Sequence, residues 1–340
     1  MLTAFDQRNS KGRRDVDEKL LISERQDQYK SDIDKISQSK SNRRIGNKTQ
    51  VISDPENSNV RTRGSHTNEV KAVSSILAEM LSLNVNLCEA IAEGHDVGHA
   101  PYGHHGEKIL TKLSGKQFKH NIFSVVVLQD IETRGKGLNL SYETLEGILY
   151  HSRGKGELKT LINKPQEYNI VMWADKIAYT FADLSDIVSR RLGEDKVPKC
   201  ASFLGNNPRK RIDTCMRALI RESKEKGEVS FSYGKEYDAF TEIRQFMFDK
   251  VYPKFDTNFH EEILSTWYNF FKENFSYIDP VIPVALLTDK DANTIVSYLA
   301  QSKEMTPYDV RNLGAVEVIK QLKGKNIDFT KADLSWGDKK

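Results

Sequence analysis

Cysteine is scarce in this chain: three in 340 residues, Cys88, Cys200 and Cys215, far apart and without a CxxC spacing. That excludes a disulfide framework and points to reduced thiols in a cytosolic setting. No stretch approaches the roughly 18 consecutive apolar residues needed to cross a bilayer. The first residues, Met1-Leu2-Thr3-Ala4-Phe5-Asp6, run straight into charge without an apolar leader core, so a cytoplasmic protein with no membrane partner is expected. An excess of one charge is also missing. Fifty-one basic residues face 48 acidic ones, for a net charge of +3, which argues against bulk electrostatic binding of nucleic acid. Alternating strand-like runs are nearly absent; Val229 to Tyr233 is the one candidate, for a short hairpin strand. No Pro/Gly/Ser linker is long enough to force two domains.

What the chain does have is histidine in one place. Seven of its eight histidines fall between His66 and His151. The densest stretch runs from Glu93 to Glu107 and holds His95, Asp96, His99, His104 and His105 with four glycines and Pro101. Imidazoles and carboxylates ligate divalent cations and carry protons. So many ionisable groups are costly to bury without a partner.

The rest of the pattern is helical. Val70, Val73, Ile76, Leu77, Met80 and Leu81 recur at three- and four-residue steps. A second helix over Leu87 to Glu93 breaks at Gly94, just before His95-Asp96. The glycines after it are expected to let backbone approach a substrate. Residues 116–151 read as helix, loop, helix, with Gly135-Lys136-Gly137 as the break and Ser141 or Thr144 as a cap. A long helix over Tyr168 to Arg190 carries Asp175, Tyr179 and Asp183 at four-residue steps, one polar stripe. Further helices are predicted over Tyr237–Val251, Ile263–Phe275, Asp291–Gln301 and Ala315–Leu322. The expected architecture is all-α: a cap over residues 1–40, a catalytic core over 41–190 and a C-terminal helical extension over 191–340.

His66, the His95-Asp96 pair and Asp175 stand out as metal ligands from three separate segments, as helical bundles build such sites. Two imidazoles and two carboxylates nearly neutralise a divalent cation and leave positions open for water and phosphate oxygens. Each has a plainer reading on its own. A lone His66 is more often a surface or satisfied histidine, and Asp175 could pair with a Lys or Arg. The order His…His-Asp…Asp is what lifts them together.

That order and its surroundings resemble the HD-domain phosphohydrolase superfamily, and within it the deoxyguanosine triphosphate triphosphohydrolase (dGTPase) family. The resemblance rests on Lys48-Thr49-Gln50-Val51, on Arg61-Thr62-Arg63 with His66, and on His95 to Glu107 as a whole. It rests also on Phe118-Lys119-His120-Asn121, on Gly137 to Ile148, and on Ala174-Asp175-Lys176-Ile177-Ala178-Tyr179. It implies an HD-type helical bundle whose metal, Mn²⁺ or Mg²⁺, is held by His66, His95, Asp96 and Asp175. Water activated there would attack the α-phosphorus of a dNTP and release a deoxynucleoside and tripolyphosphate. By the same resemblance His104 is the catalytic histidine and Glu107 the carboxylate that orients it. Arg63, His99, His120 and Lys176 would contact phosphates, Tyr179 would stack on the sugar, Asp183 would accept the 3′-hydroxyl, and Gln50 would line the sugar and base end. For Tyr179 the competing reading is ordinary core packing, and for Glu107 a solvated carboxylate in a helix's first turn.

The resemblance further implies dGTP as the favoured substrate, a homo-oligomer such as a hexamer, and single-stranded DNA as a modulator. It has departures. Lys119 stands where the family has Glu, Gly64-Ser65 replaces Leu-Thr, and the C-terminal part matches poorly, which leaves base preference open. Two other classes compete: an HD phosphohydrolase acting on cyclic nucleotides, (p)ppGpp or nucleoside monophosphates, and a nucleotide sensor or nucleic-acid-binding regulator. The latter is motivated by Arg209, Lys210, Arg211, Arg217, Arg221, Lys224 and Lys226, although basic runs are usually solvated helix faces.

Overall fold

A computed structural model describes residues 2–16, 27–50, 59–154, 158–189, 197–301 and 303–339. Among these residues the chain is all-α, and the only β-type pairings are two isolated bridges, Arg13 to Ser141 and Thr49 to Thr62. Val51 of the Lys48–Val51 segment, Arg190 and the boundary expected near residue 190 lie outside the described residues.

The centre of the fold is the helix Val85–Gly94. Asn84 starts it by accepting a hydrogen bond from the Leu87 amide, and seven of its ten residues are buried. It packs against Gln28–Ser37, Arg63–Met80, Tyr142–Tyr150 and Gln166–Ser189. Such close neighbours need small residues: a Cβ on Gly94 would come within 2.6 Å of the Ile148 side chain. Its apolar residues face these neighbours, while Asn86 donates to Asp27, and Glu89 and Glu93 accept from Ser75 and Lys71.

Arg63–Met80 begins in a reciprocal cap between Thr62 and Ser65. It buries His66, Thr67, Val70, Val73, Ser74, Leu77 and Ala78. Ile76 and Met80, counted with the apolar stripe from their spacing, are instead 45% and 51% exposed. At 100° per residue Ile76 lies on the flank beyond Val73, and Met80 is the last residue of the helix.

The described N-terminal residues are fastened to the core. Arg13 pairs with buried Asp32 at 2.8 Å, and the Lys11 amide donates to Glu143.

The C-terminal elements depart from the sequence reading in two places. Val229–Tyr233 is no strand; the Ser232 amide donates to the Glu222 carboxylate at 2.8 Å, so side chains rather than a ladder satisfy this stretch. The single helix expected over Asp291–Gln301 is two short ones, Asp289–Asn293 and Val296–Ala300. The first is started by a Thr288–Asp291 capping box. Three basic side chains of the helix Pro208–Lys226 are paired: Arg217 with Asp213 and Lys226 with Glu222 of the same helix, and Arg221 with Glu236 of Lys235–Phe246. Arg211 is turned onto the carbonyls of Ala201 and Gly205. No helix among the described residues is long and apolar enough to cross a membrane.

Candidate active site

His95 follows the last turn of Val85–Gly94. Its Nδ1 lies 2.7 Å from the Ala92 carbonyl three residues back. A carbonyl only accepts, so Nδ1 carries the hydrogen and Nε2 keeps its lone pair. That Nε2 is buried without a hydrogen-bond partner. It points towards two carboxylates, 3.6 Å from Asp96 Oδ1 and 3.9 Å from Asp175 Oδ1. His66, one turn into its own helix, brings Nε2 to 3.0 Å from Asp175 Oδ1. Three helices thus deliver the four expected ligands to one buried point, and His66, His95 and Asp96 offer ligand atoms within 4.8 Å of one another. An orphaned imidazole nitrogen facing paired carboxylates is the donor set a divalent cation takes.

The charges here are finely opposed. Burial alone would raise Asp96, but His95 and the Arg63 guanidinium outweigh it and hold the carboxyl well below the usual range. Burial also works against Asp175, and Lys176 and His66 likewise hold it low. For His66, burial favours the neutral ring, yet the bond to Asp175 wins and raises its pKa. A cation entering would displace that proton.

Beside this cluster stands a second one, centred on Glu107. Its Oε1 lies 2.9 Å from His104 Nδ1, 2.8 Å from His120 Nδ1 and 3.4 Å from His99 Nδ1. Burial would raise Glu107, but His120 and His104 outweigh it and keep it ionised. The His99 and His120 rings stack at 4.0 Å. His104 alone is open, its side chain 61% exposed.

Both clusters face one cavity of about 880 Å³. Every residue expected at the site lines it except His95, which is wholly buried behind the others. At the far end the polar stripe of Gln166–Ser189 points inwards. The Tyr179 hydroxyl accepts from Arg244 Nε at 3.1 Å, and Asp183 Oδ2 accepts from the Tyr252 hydroxyl at 2.9 Å. Burial pushes Asp183 up to about 7. Gln50 lines the cavity as well.

Two expected phosphate contacts are otherwise engaged in this structure. Arg63 Nη1 donates to Asp96 Oδ2 at 2.7 Å, and Lys176 Nζ donates to Asp175 Oδ2 at 2.8 Å. Each balances the charge of a buried carboxylate.

Two of the loop glycines serve a different purpose from the one expected. A Cβ on Gly98 would lie 2.2 Å from the Ser124 amide nitrogen, and one on Gly106 would lie 1.9 Å from the Pro101 carbonyl. At these two glycines the backbone therefore approaches itself, whereas a Cβ on Gly103 would meet the cavity-lining Arg63 guanidinium at 2.8 Å. Ser124 Oγ also donates to the His95 carbonyl at 2.9 Å, so this contact steadies the ligand. Buried Lys48, brought down to about 7 by burial, bonds the carbonyls of His99 and Ala285. Asp289 accepts from the Tyr102 and Thr49 amides.

Sequence reasoning missed His151, Arg153, Arg244, Phe248 and Tyr252. His151 carried a usable signal: it ends the helix Tyr142–Tyr150 as His95 ends its own, with Nδ1 on the carbonyl three residues back, Ile148 at 2.6 Å. Its Nε2 lies 3.2 Å from His120 Nε2. The other four reach the cavity only through tertiary folding.

Comparison with known proteins agrees with this geometry. The HD domain family matches residues 63–180. A "deoxyguanosinetriphosphate triphosphohydrolase-like protein" of Caldanaerobacter subterraneus subsp. tengcongensis is 43% identical over 252 residues, 73% of this chain and 71% of that one. Proteins of the same description from Clostridium tetani (39% identical; 68% and 69% covered) and Desulfatibacillum aliphaticivorans (36%; 72% and 74%) are similar too. The chain belongs to the deoxyguanosinetriphosphate triphosphohydrolase-like family of HD-domain, metal-dependent phosphohydrolases.

Proposed function

We propose that the protein hydrolyses deoxynucleoside triphosphates at the α-phosphorus, giving a deoxynucleoside and tripolyphosphate. The observation that carries this reading is the shared cavity. One wall holds His66, Asp96 and Asp175 with His95 behind them, the next holds the His104–Glu107 pair, and the Asp175–Tyr179–Asp183 stripe runs from the first towards Arg244 and Tyr252. His66, His95, Asp96 and Asp175 would hold the cation, Mn²⁺ or Mg²⁺. When bound it supplies Lewis acidity towards a phosphoryl oxygen and acidifies water.

The chain's own groups do the rest. Ionised Glu107 holds the Nδ1 hydrogen of His104, so Nε2 is left to take or give a proton at the exposed mouth. Arg63, His99, His120 and Lys176 line the cavity where a triphosphate would lie, and Arg63 and Lys176, now on Asp96 and Asp175, would turn to its charge once a cation takes over those carboxylates. Tyr179 offers a ring to the sugar. Asp183, already paired with Tyr252, offers its second oxygen to a 3′-hydroxyl, and a substrate lacking that group would leave it unpaired at about 1–3 kcal/mol. The relatives' descriptions make dGTP the first substrate to try.

The test is a panel of the four dNTPs and GTP with Mn²⁺, followed for nucleoside and for phosphate products. Tripolyphosphate with free deoxynucleoside supports the proposal. Orthophosphate or pyrophosphate as the first product rejects it in favour of another HD chemistry.

A further inference from the structure

Tyr102 holds a backbone conformation that residues with side chains seldom keep. Its φ of 60° and ψ of 22° are left-handed, a region that suits glycine and strains a bulky residue. It directly precedes the helix Gly103–Ser114, which carries His104 and Glu107. Its conformation therefore sets the direction in which that helix leaves the loop. Three contacts hold it, all from the C-terminal extension. The Tyr102 amide donates to Oδ1 of buried Asp289 at 3.1 Å. Its hydroxyl donates to Asn293 Oδ1 at 2.6 Å. Its ring stacks on His260 at 4.1 Å, with the planes 11° apart. Asp289 and Asn293 are the two ends of one short helix, and Trp267 Nε1 donates to the Ala292 carbonyl within it at 2.9 Å. Trp267 and His260 both belong to the helix Asn258–Asn274, so the three contacts come from one packed unit.

Asp289 does more than hold Tyr102. Its second oxygen, Oδ2, accepts from the Thr49 amide at 3.0 Å, and Thr49 precedes the cavity-lining Gln50. One carboxylate thus joins two separate backbone segments that both reach the cavity. Burial raises the Asp289 pKa, while the two amides and nearby Lys48 work to keep it ionised. We propose that Asp289 is a positioning residue of the active site, tying the Gln50 and His104 segments together so that the C-terminal extension sets where the proton carrier stands. The inference rests on His104 having that role in the proposed reaction. An Asp289 that only supported the fold would lower stability and leave turnover per folded chain unchanged.

Asp289→Asn tests this. It keeps the size and one acceptor oxygen but turns an N–H against the other amide. In the full chain with Mn²⁺ and dGTP, kcat should fall about 10- to 100-fold, as misplacing a reacting group does. KM and bound Mn²⁺ should stay within about twofold. In a His104→Ala background the same change should cost less than about twofold, because the group it positions is gone. An unchanged kcat, or equal losses in both backgrounds, overturns the proposal. A second readout uses no substrate. In ¹H–¹³C spectra of the metal-free protein, the ring signal that His104→Ala deletes should shift in Asp289→Asn. A signal left in place overturns the proposal whether or not dNTPs turn over. If the wild type releases no tripolyphosphate from any dNTP, the proposed function fails and this signal alone decides the inference. Should Asp289→Asn not fold, His260→Ala, which removes only the stacked ring, takes its place under the same criteria.

Discussion

At the scale of single residues, the site separates groups by their partners rather than by type. His95 and His104 stand at the two ends of one loop, His104 in the first turn of the helix Gly103–Ser114, yet His95 is sealed against the Ala92 carbonyl while His104 is exposed and bonded to Glu107. The first suits a ligand and the second a proton carrier. His104→Ala should therefore lower turnover by about 10²-fold or more with bound metal unchanged. Loss of metal in that variant would contradict the assignment. Asp183 yields a second prediction. Burial takes its pKa from an ordinary 3.8 to about 7. The folded chain then holds a proton that the unfolded chain releases near pH 4. Its contribution to stability is complete below pH 4 and is lost as pH rises through about 7. Asp183→Asn removes that loss. In urea unfolding of the metal-free protein, the variant's advantage over wild type should be absent at pH 4 and reach about 2–4 kcal/mol by pH 8.

At the scale of elements, the candidate ligands His95 and Asp96 depend on a helix end and on how tightly it is packed. They follow the helix Val85–Gly94, and the loop from His95 to Gly103 is pinned by Ser124, Lys48 and Asp289. Gly98 makes the contact with Ser124 feasible, since any Cβ there would clash with backbone 2.2 Å away. Gly98→Ala should destabilise the fold by about 1–3 kcal/mol through overpacking. It should also weaken metal binding, because the His95 carbonyl is held by the same serine. A lower urea midpoint with an unchanged slope would show the first effect, and dialysis against Mn²⁺ would show the second.

At the scale of the whole molecule, the candidate metal cluster joins helices far apart in sequence, Arg63–Met80, Val85–Gly94 and Gln166–Ser189. A cation that binds only the folded chain stabilises it by mass action, about 2.7 kcal/mol at a hundredfold excess over Kd. Mn²⁺ should raise the melting temperature, EDTA should reverse the gain, and Asp175→Asn should abolish the response. A metal response that survives Asp175→Asn at full size would show that the cation binds elsewhere.

The sequence by itself determined the helical class and named the four residues that meet at the candidate metal site. Both are written in local terms, as apolar spacing, the His-Asp dyad and four-residue polar steps along one helix, and neighbours in sequence on a helix are neighbours in space. His66 and Asp175, 109 positions apart, were named because their motifs are local even though their meeting is not. Only the tertiary structure decided what closes the cavity. Arg244 and Tyr252 sit in ordinary amphipathic stretches, and it is packing of the C-terminal helices that carries them to Tyr179 and Asp183. It likewise decided that Gly98 and Gly106 face backbone, that Ile76 and Met80 face solvent, and that Val229–Tyr233 has no strand to pair with. Periodicity states which residues share a face of an element; which other element covers that face depends on contacts the local pattern does not encode.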